Sequence, residues 1–269
     1  MIRKNIKDGI SFCIKLCAHI CRIDLIKIGK ESIGIGWRGE GYERSGERRF
    51  VQNILPKIIQ NNKPILYDIG ANVGTYTSLL QHTFPEGCIH AFEPNPHSFS
   101  ELLKVSMKKT ICTQKAVGAQ SGVTYLYLNT EDTTSGLATL HKEIQDKLHT
   151  QKELQSIEVS VITLDSYTQE QIDFLKIDTE GHELEVLKGA TALIKKDKIK
   201  VIQFEFNEMN IVTKAFLLDF YNILKQYSFY RITPKGLISL GQYSHDNEIF
   251  DFQNIVAIHS KSVLNVPLF

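Results

Sequence analysis

From residue 65 onwards, short apolar runs alternate with amphipathic stretches. The apolar runs end in glycine or polar loops, which predicts strands at 65–69, 88–92, 111–117, 122–128, 157–163, 172–177, 199–206, 228–233, 237–240 and 252–259. Apolar residues at helical spacing predict helices at 47–60, 73–83, 96–109, 181–196 and 213–227. Residues 129–156 are polar and irregular, with a helical part near 141–154. We therefore expect an α/β fold: a doubly wound, mostly parallel sheet with an antiparallel C-terminal edge.

The first 60 residues depart from this alternation and are predicted to form a helical N-terminal extension with a lid, leaving residues 61–269 as the main domain. Residues 1–30 hold seven lysines and arginines, and their apolar residues recur at helical spacing, which predicts a basic amphipathic helix. The favoured interpretation packs its apolar face on the main domain. Contact with a partner or with the inner face of a membrane is the alternative. Residues 29–46 contain six glycines and are predicted to be a mobile lid.

Composition limits the classes of partner. The chain has 269 residues and a formal net charge of +1, so no nucleic-acid partner is expected. No apolar run approaches the roughly 18 residues that a membrane span needs. Five cysteines without a short secreted scaffold favour free thiols in the cytoplasm.

A glycine turn follows the first predicted strand. Asp68 ends this strand, and Gly70, Ala71, Asn72 and Gly74 form the turn. The dinucleotide fingerprint G-x-G-x-x-G needs a glycine where Asn72 stands, because the backbone there approaches a pyrophosphate. A carboxylate at this place repels phosphate and suits the ammonium and sulfonium groups of S-adenosylmethionine (SAM). A nicotinamide-dependent dehydrogenase is therefore the less favoured alternative.

Acidic residues also follow two further strands. Glu93 ends the second strand and can accept both ribose hydroxyls of an adenosine, and Pro94 stiffens the backbone beside it. The strand at 172–177 delivers Asp178, Glu180 and His182 to the same edge of the sheet. These groups are candidates for catalysis or ligand binding, although an acid at the start of a helix can also serve as its cap.

Five segments together resemble the FkbM family of SAM-dependent methyltransferases. They are YDIGANVGTYT, AFEPNP, KAVGAQSG, TLDSY and FLKIDTEGHELEVLKGA, which occur in the family's order between residues 64 and 207. The resemblance implies a class I, Rossmann-like methyltransferase fold. It also implies methyl transfer to oxygen, commonly to a hydroxyl of a sugar, glycolipid or natural product.

The resemblance assigns roles to individual residues. Asp68 and the glycine turn correspond to the loop that holds the methionine part of SAM, Glu93 to the ribose ligand, and Ala116 or Val117 to neighbours of the adenine. Asp178 is expected to contact the cofactor as well. The family's D-x-E-G-x-E block is matched by Asp178, Glu180, Gly181 and Glu183, while His182 occupies an unspecified position within it.

A sugar hydroxyl needs a base when it attacks a methyl group, and Asp178 or Glu180 is the favoured candidate, ahead of His182. Mg²⁺ held by Asp178 with Glu205 and Asn207 is an alternative that is not favoured. A non-catalytic binding protein that keeps the SAM fold is a further alternative. Acceptor contacts are predicted among Trp37, Arg38, Tyr42, Thr133, Thr134 and Ser135.

Overall fold

The computed structural model describes residues 2–37, 41–130, 133–134, 136–149 and 154–262. Its strands are β1 (Ile65–Ile69), β2 (Cys88–Phe92), β3 (Thr110–Thr113), β4 (Ala116–Val117), β5 (Gly122–Asn129), β6 (Leu154–Ile162), β7 (Ile172–Ile177), β8 (Ile199–Phe206), β9 (Tyr227–Thr233), β10 (Gly236–Gly241) and β11 (Gln253–His259). Its helices are α1 (Ile2–Cys21), α2 (Leu25–Ser32), α3 (Gly41–Ser45), α4 (Glu47–Arg49), α5 (Leu55–Ile59), α6 (Thr75–Thr83), α7 (Pro96–Val105), α8 (Lys142–Ile144), α9 (Leu164–Tyr167), α10 (Glu183–Lys188), α11 (Thr191–Lys195), α12 (Met209–Thr213) and α13 (Leu217–Ile223).

Eight strands form the main sheet in the order β10-β9-β11-β8-β7-β1-β2-β3. The five strands from β8 to β3 are parallel, and β9, β10 and β11 are antiparallel to their neighbours. The predicted doubly wound sheet with an antiparallel C-terminal edge is therefore confirmed.

A second sheet was not predicted. It has three strands in the order β4-β6-β5. The single strand predicted at 111–117 is wrong, because the chain leaves the main sheet after Thr113 and pairs again at Ala116 with Val161 of β6. β5 pairs with β6 along its whole length, and β4, β6 and β5 form a small sheet separate from the main one, held by contacts between residues far apart in sequence.

Side chains of the main sheet alternate between two apolar layers. Tyr67 and Leu175 pack into a core cluster on one face, whereas Leu66 and Phe174 pack into a cluster on the other. The second face is covered by α4, a π-helical turn at Phe50–Ile54 and α5, which together occupy most of the predicted helix 47–60. Because both faces of the sheet are covered, the sequences of the central strands are continuous apolar runs rather than alternating apolar and polar residues.

Two predicted long helices differ from their predicted bounds. The helix predicted at 181–196 is divided into α10 and α11, with the break at Gly189 and Ala190. A Cβ on Gly189 would lie 2.0 Å from the Gly118 carbonyl oxygen. The helix predicted at 213–227 is shorter and covers only α13, from Leu217 to Ile223. Lys214, which follows the separate helix α12, has a left-handed φ of 56°. Periodicity alone does not reveal such breaks.

The N-terminal segment differs most from its prediction. It forms two helices rather than one, and its apolar face does not pack on the main domain: Ala18 is the single buried residue among the described side chains from Ile10 to Ile33. The predicted mobile lid is also partly wrong, because fully buried Ile35 forms a bridge with Gln253 and α3 is helical. Within the described residues, no helix combines the length and apolarity needed to cross a membrane.

The ends of β1, β2 and β7 are level, which creates the edge where ligands of such sheets bind. Ile69 pairs with Phe92 and with Ile177, so the next residue of each strand lies at this edge. The Gly70 amide donates to the Phe92 carbonyl at 2.9 Å, and the Asp178 amide donates to the Ile69 carbonyl at 2.9 Å.

Gly70 is expected to tolerate no side chain. Its φ is +81°, and a Cβ would lie 1.7 Å from the Asp178 carbonyl oxygen, so Gly70→Ala must displace the backbone. We expect a loss of roughly 3 kcal/mol or more in the free energy of unfolding, measured by urea denaturation. Gly29→Ala, with nothing within 4 Å of the added Cβ, is the control and should be neutral or stabilising. Equal stability of the two variants would contradict the close approach.

Candidate active site

A cavity with roughly 860 Å³ of empty space opens at the edge where β1, β2 and β7 end. Most of the predicted cofactor residues line it, namely Gly70, Ala71, Asn72, Glu93, Pro94, Ala116, Val117 and Asp178. The three candidates for the base, Asp178, Glu180 and His182, line it too. We call it the first cavity.

Three residues of the glycine turn have left-handed backbone conformations. Gly70, Asn72 and Gly74 have φ of 81°, 47° and 86°, and asparagine is among the few residues that tolerate this region. The Ala71 amide joins that of Gly70 on the Phe92 carbonyl, also at 2.9 Å. Gly74 does not line the cavity; a Cβ there would lie 2.5 Å from a methyl group of Val105, so this glycine lets α7 approach the turn.

Glu93 connects the turn to the end of β2. One carboxylate oxygen accepts the amide of Asn72 and the other that of Asn95, each at 2.8 Å. Burial raises the pKa of Glu93 to about 7, although these two hydrogen bonds oppose the rise. Each carboxylate oxygen can accept a second hydrogen bond, so Glu93 can still bind a pair of hydroxyls.

Asp68 lies behind the turn and does not line the first cavity. Its side chain is fully buried, and its Oδ2 accepts a 2.6 Å hydrogen bond from Thr77 Oγ1. Within the described part of the chain, its Oδ1 has no hydrogen-bond partner. Burial raises the pKa of Asp68, while the charge of Lys176 counteracts this effect. The carboxyl group therefore lies where it can act on Lys176 rather than on a ligand.

Lys176 is a buried cation in the wall of the first cavity. Its side chain is 2% exposed, its Nζ donates to Asp178 Oδ2 at 2.8 Å, and it lies 4.6 Å from the centre of the Tyr76 ring. Burial alone would lower the pKa of Lys176, but the acids Asp178, Asp68 and Glu47 raise it above its usual range. The ammonium group thus stays charged and holds Asp178 at the cavity wall.

Glu47, in α4, connects the N-terminal part of the chain to the group of acids around Lys176. Its side chain is buried and accepts hydrogen bonds from Ser45 Oγ at 2.9 Å and from Gln203 Nε2 at 2.8 Å. Gln203 in turn accepts a 2.6 Å hydrogen bond from the hydroxyl of Tyr76. Burial raises the pKa of Glu47, and Lys176 opposes that rise.

A second cavity, with roughly 830 Å³ of empty space, adjoins the first. Both cavities are lined by Tyr42, Gly136, Asp178 and Glu180. The second cavity is further lined by Trp37, Gly41, Ser45, Glu47, Leu137, Glu205 and Phe252. Asp178 and Glu180 therefore stand in the wall that the two cavities share.

Glu205 faces this second cavity from the end of β8. It is 9% exposed, and its hydrogen bond within the described chain is a long one of 3.5 Å from Asn207 Nδ2. Burial, followed by the charges of Asp178 and Glu180, raises the pKa of Glu205 well above its usual range. Among the residues that the structure describes, no group of three or more histidine, cysteine or acidic side chains could hold a metal ion.

The loop after β7 is organised by Glu183. Its Oε1 accepts the amide of Thr179 at 2.8 Å, the Thr179 hydroxyl at 3.1 Å and the Gly181 amide at 3.2 Å. Glu180, between them, has a left-handed φ of 52°, and its carbonyl accepts a 2.7 Å hydrogen bond from Thr139 Oγ1. Of the acids in the D-x-E-G-x-E block, Glu183 shapes the loop, while Asp178 and Glu180 reach the cavities.

His182 lies on the side of the first cavity formed by β4. Its Nδ1 is 2.9 Å from Nε2 of His141, and a Cβ on Gly118 would lie 2.8 Å from its Nε2. Burial, together with His141 and Lys188, lowers the pKa of His182 to about 3. The ring is therefore neutral and a weak base, placed beside Ala116 and Val117.

The residues predicted to contact an acceptor divide into three groups. Trp37 and Tyr42 line the second cavity. Thr133 accepts a 2.7 Å hydrogen bond from Asn95 through its carbonyl, and neither it nor Thr134 lines a cavity described above. Arg38 and Ser135 lie outside the described residues.

Sequence reasoning missed Lys176, Glu47 and Gln203. A lysine inside the apolar strand FLKID was a usable signal, because a buried cation requires acidic partners. Glu47 and Gln203 gave no comparable signal, since they lie 156 residues apart and only the fold brings them together.

The sequence model of the family described as "Methyltransferase FkbM domain" matches residues 68–229. The chain belongs to this family. Its similarity to hexuronic acid methyltransferase AglP of Haloferax volcanii is 26% identity, covering 59% of this chain and 62% of that protein. Methyltransferase sdnD of Sordaria araneosa is 27% identical, covering 48% of this chain and 61% of that protein.

The chain therefore spans about three fifths of the length of these curated relatives. Among solved structures, it is similar to methyltransferase FkbM from Methylobacillus flagellatus at 12% identity and a TM-score of 0.44. That similarity covers 80% of this chain and 52% of the other.

Removing the buried cation should destabilise the fold. Lys176→Met leaves Asp178, Asp68 and Glu47 without their shared counter-charge, and we expect a loss of about 3–5 kcal/mol in the free energy of unfolding. Urea denaturation at neutral pH measures it. The control is Lys188→Met, whose partner Glu185 is on the surface, and its effect should stay within about 0.5 kcal/mol. Similar losses in both variants would refute the role of Lys176.

Proposed function

We propose that the protein transfers a methyl group from SAM to a hydroxyl group of a sugar or glycan. The observation that carries this proposal is the pair of adjoining cavities with Asp178 and Glu180 in their shared wall. Two substrates that react with each other need neighbouring sites and a base where they meet. Family membership supports the same assignment, as does the similarity to a Haloferax methyltransferase that is named for a sugar acid.

The first cavity suits the parts of SAM. Glu93 would hold the ribose hydroxyls, Ala116 and Val117 would pack on the adenine, and the turn at Gly70 and Ala71 would face the methionine part. Three acids, Glu93, Asp178 and Glu180, line this cavity against two lysines, Lys115 and Lys176, and this excess of acids favours a cationic ligand over a pyrophosphate. This supports SAM rather than a nicotinamide dinucleotide as the cofactor.

When bound, SAM supplies an electrophilic methyl group. The chain's own residues align the acceptor hydroxyl and remove its proton. Asp178 and Glu180 are placed to accept that proton because they line the cavities on both sides of the shared wall. Tyr42, which packs edge-on against Tyr76 at 5.4 Å between ring centres, closes the wall next to them. Because the leaving group would be a neutral thioether, the chain needs no acid to protonate it.

The acids of the second cavity favour an acceptor without negative charge. Glu47, Asp178, Glu180 and Glu205 all line it. A hydroxyl can donate a hydrogen bond to an ionised acid and accept one from a protonated acid, so it suits these side chains in either state, whereas the ionised ones repel a carboxylate. Trp37 adds an aromatic face of the kind on which sugar rings pack. We therefore assign neutral sugar hydroxyls, rather than uronic acid carboxylates, as the acceptor groups.

Binding of S-adenosylhomocysteine should strengthen with pH through Glu93. The pKa of about 7 means that this buried group loses its proton as the pH rises through neutrality, and the carboxylate accepts ribose hydroxyls better than the acid. Affinity is expected to rise roughly tenfold between pH 6 and pH 8, as measured by titration calorimetry. Glu93→Gln should remove this dependence; an equally steep profile in that variant would contradict the assignment.

The base is tested by separate Asp178→Asn and Glu180→Gln variants. We expect the variant that lacks the base to lose roughly a hundredfold or more in kcat while still binding S-adenosylhomocysteine. Glu185→Gln, a surface acid of α10, and His182→Asn are controls and should stay within about tenfold of the wild type. If both acid variants kept at least a tenth of the activity, neither residue would be the base.

The acceptor class is tested with SAM labelled in its methyl group. The protein is incubated with neutral hexosides, nucleotide sugars, cell-envelope glycan extracts and hexuronic acids, and the labelled products are separated. Label should enter neutral sugars through base-stable ether bonds. Label found only as base-labile esters of hexuronic acids would overturn the acceptor assignment, and no labelled product from any acceptor would count against methyl transfer to sugars.

A further inference from the structure

Helices α1 and α2 leave their apolar side chains in solvent. All nine isoleucines and leucines from Ile10 to Ile33 are between 37% and 72% exposed, with Ile20 at 69% and Ile26 at 72%. The three thiols of α1 are exposed as well. We call residues 10–33 the N-terminal surface. So much exposed apolar area in one short segment is typical of a surface that binds something else.

The charge of this region identifies the partner. The first 33 residues contain seven lysines and arginines but three acids, whereas the whole chain has a formal net charge of +1. The remaining residues are therefore net acidic. Within residues 10–33, the exposed isoleucines share the sequence with four basic residues, Lys15, Arg22, Lys27 and Lys30, and only two acids. Apolar side chains among lysines and arginines on short helices match an anionic lipid surface, where the former enter the acyl boundary and the latter pair with headgroups.

The N-terminal surface is fixed to the catalytic domain beside the second cavity. Lys30 Nζ pairs with Asp251 at 2.9 Å, and the Gly36 amide donates to the Phe252 carbonyl at 2.8 Å. The indole of Trp37 donates to the carbonyl of Glu31, in the last turn of α2, at 3.1 Å. Because Trp37 and Phe252 line the second cavity, α2 ends at its rim.

We propose that the N-terminal surface binds an anionic phospholipid membrane, lying on it rather than crossing it. The second cavity then faces the lipid–water boundary. A consequence, which rests on the proposed function, is that the acceptor is a sugar presented at a membrane, such as the headgroup of a glycolipid. The binding itself requires no methyl transfer, so its test is independent of that activity.

The test is co-sedimentation of the full chain with vesicles. One set contains one part phosphatidylglycerol to two parts phosphatidylcholine, and the other contains phosphatidylcholine alone. The wild type should bind the anionic vesicles more tightly than the neutral ones and be released by salt. The double variant Ile20→Asp, Ile26→Asp should lose roughly tenfold or more in partitioning. Leu103→Asp, Val123→Asp is the matched control, since these apolar residues are 53% and 62% exposed elsewhere on the domain, and it should bind as the wild type does.

Lys15→Gln, Lys27→Gln changes charge without touching the apolar residues. It should reduce the preference for anionic vesicles, which keeps the proposal testable if the aspartate variant fails to fold. Equal loss in the matched control, or no vesicle binding by the wild type, would overturn the proposal. Sedimentation velocity without lipid tests whether a second copy of the chain covers this surface instead. If the wild type is a dimer that does not bind vesicles, and Ile20→Asp, Ile26→Asp makes it a monomer, the surface is a dimer interface and the proposal is overturned.

Discussion

Lys176 lies in the wall of the first cavity, and carboxyl groups from three separate parts of the chain act on its ammonium group: Asp178 after β7, Asp68 at the end of β1 and Glu47 in the N-terminal helical segment. Such acids would repel one another in a buried setting without a cation among them. With the cation present, they fasten the loop after β7, the first strand and the N-terminal segment to one point. The wall between the two cavities depends on this arrangement, because Asp178 is held there by its 2.8 Å contact with Lys176.

The wall matters because it separates two cavities that are built from different parts of the chain. One is shaped by the glycine turn, Glu93 and the short strand β4, and the other by Trp37, Glu47 and Glu205. The first cavity is formed largely by residues at the ends of neighbouring parallel strands. The second also requires residues from the N-terminal segment and from β8. The same N-terminal segment that completes the second cavity also exposes the apolar surface of α1 and α2. The position of the protein relative to a membrane and the access of its acceptor would thus depend on one piece of chain.

Much of the main sheet and of the first cavity could be predicted from the sequence, because their signals are local. A strand, a glycine turn and an acid such as Glu93 occur within 30 residues and predict an adenosine site, and the structure brings Glu93 and the turn to one cavity. The second sheet could not be predicted in this way, since β4 has two residues and pairs with a strand more than 40 positions away. A lysine within an apolar strand signals a buried cation, but its partner Glu47 could not be predicted, because only packing across the sheet brings the two together. The N-terminal segment is helical as predicted but forms two helices, α1 and α2, and the periodicity of its apolar residues does not say whether they are covered.

The central claim is that donor and acceptor meet at the wall formed by Asp178 and Glu180. The most direct measurement is a crystal structure with S-adenosylhomocysteine bound. The account predicts ribose hydroxyls within hydrogen-bonding distance of Glu93, the adenine beside Ala116 and Val117, and the sulfur directed at the shared wall. A sulfur directed away from Asp178 and Glu180, or an adenosine bound in the cavity lined by Trp37, would contradict it.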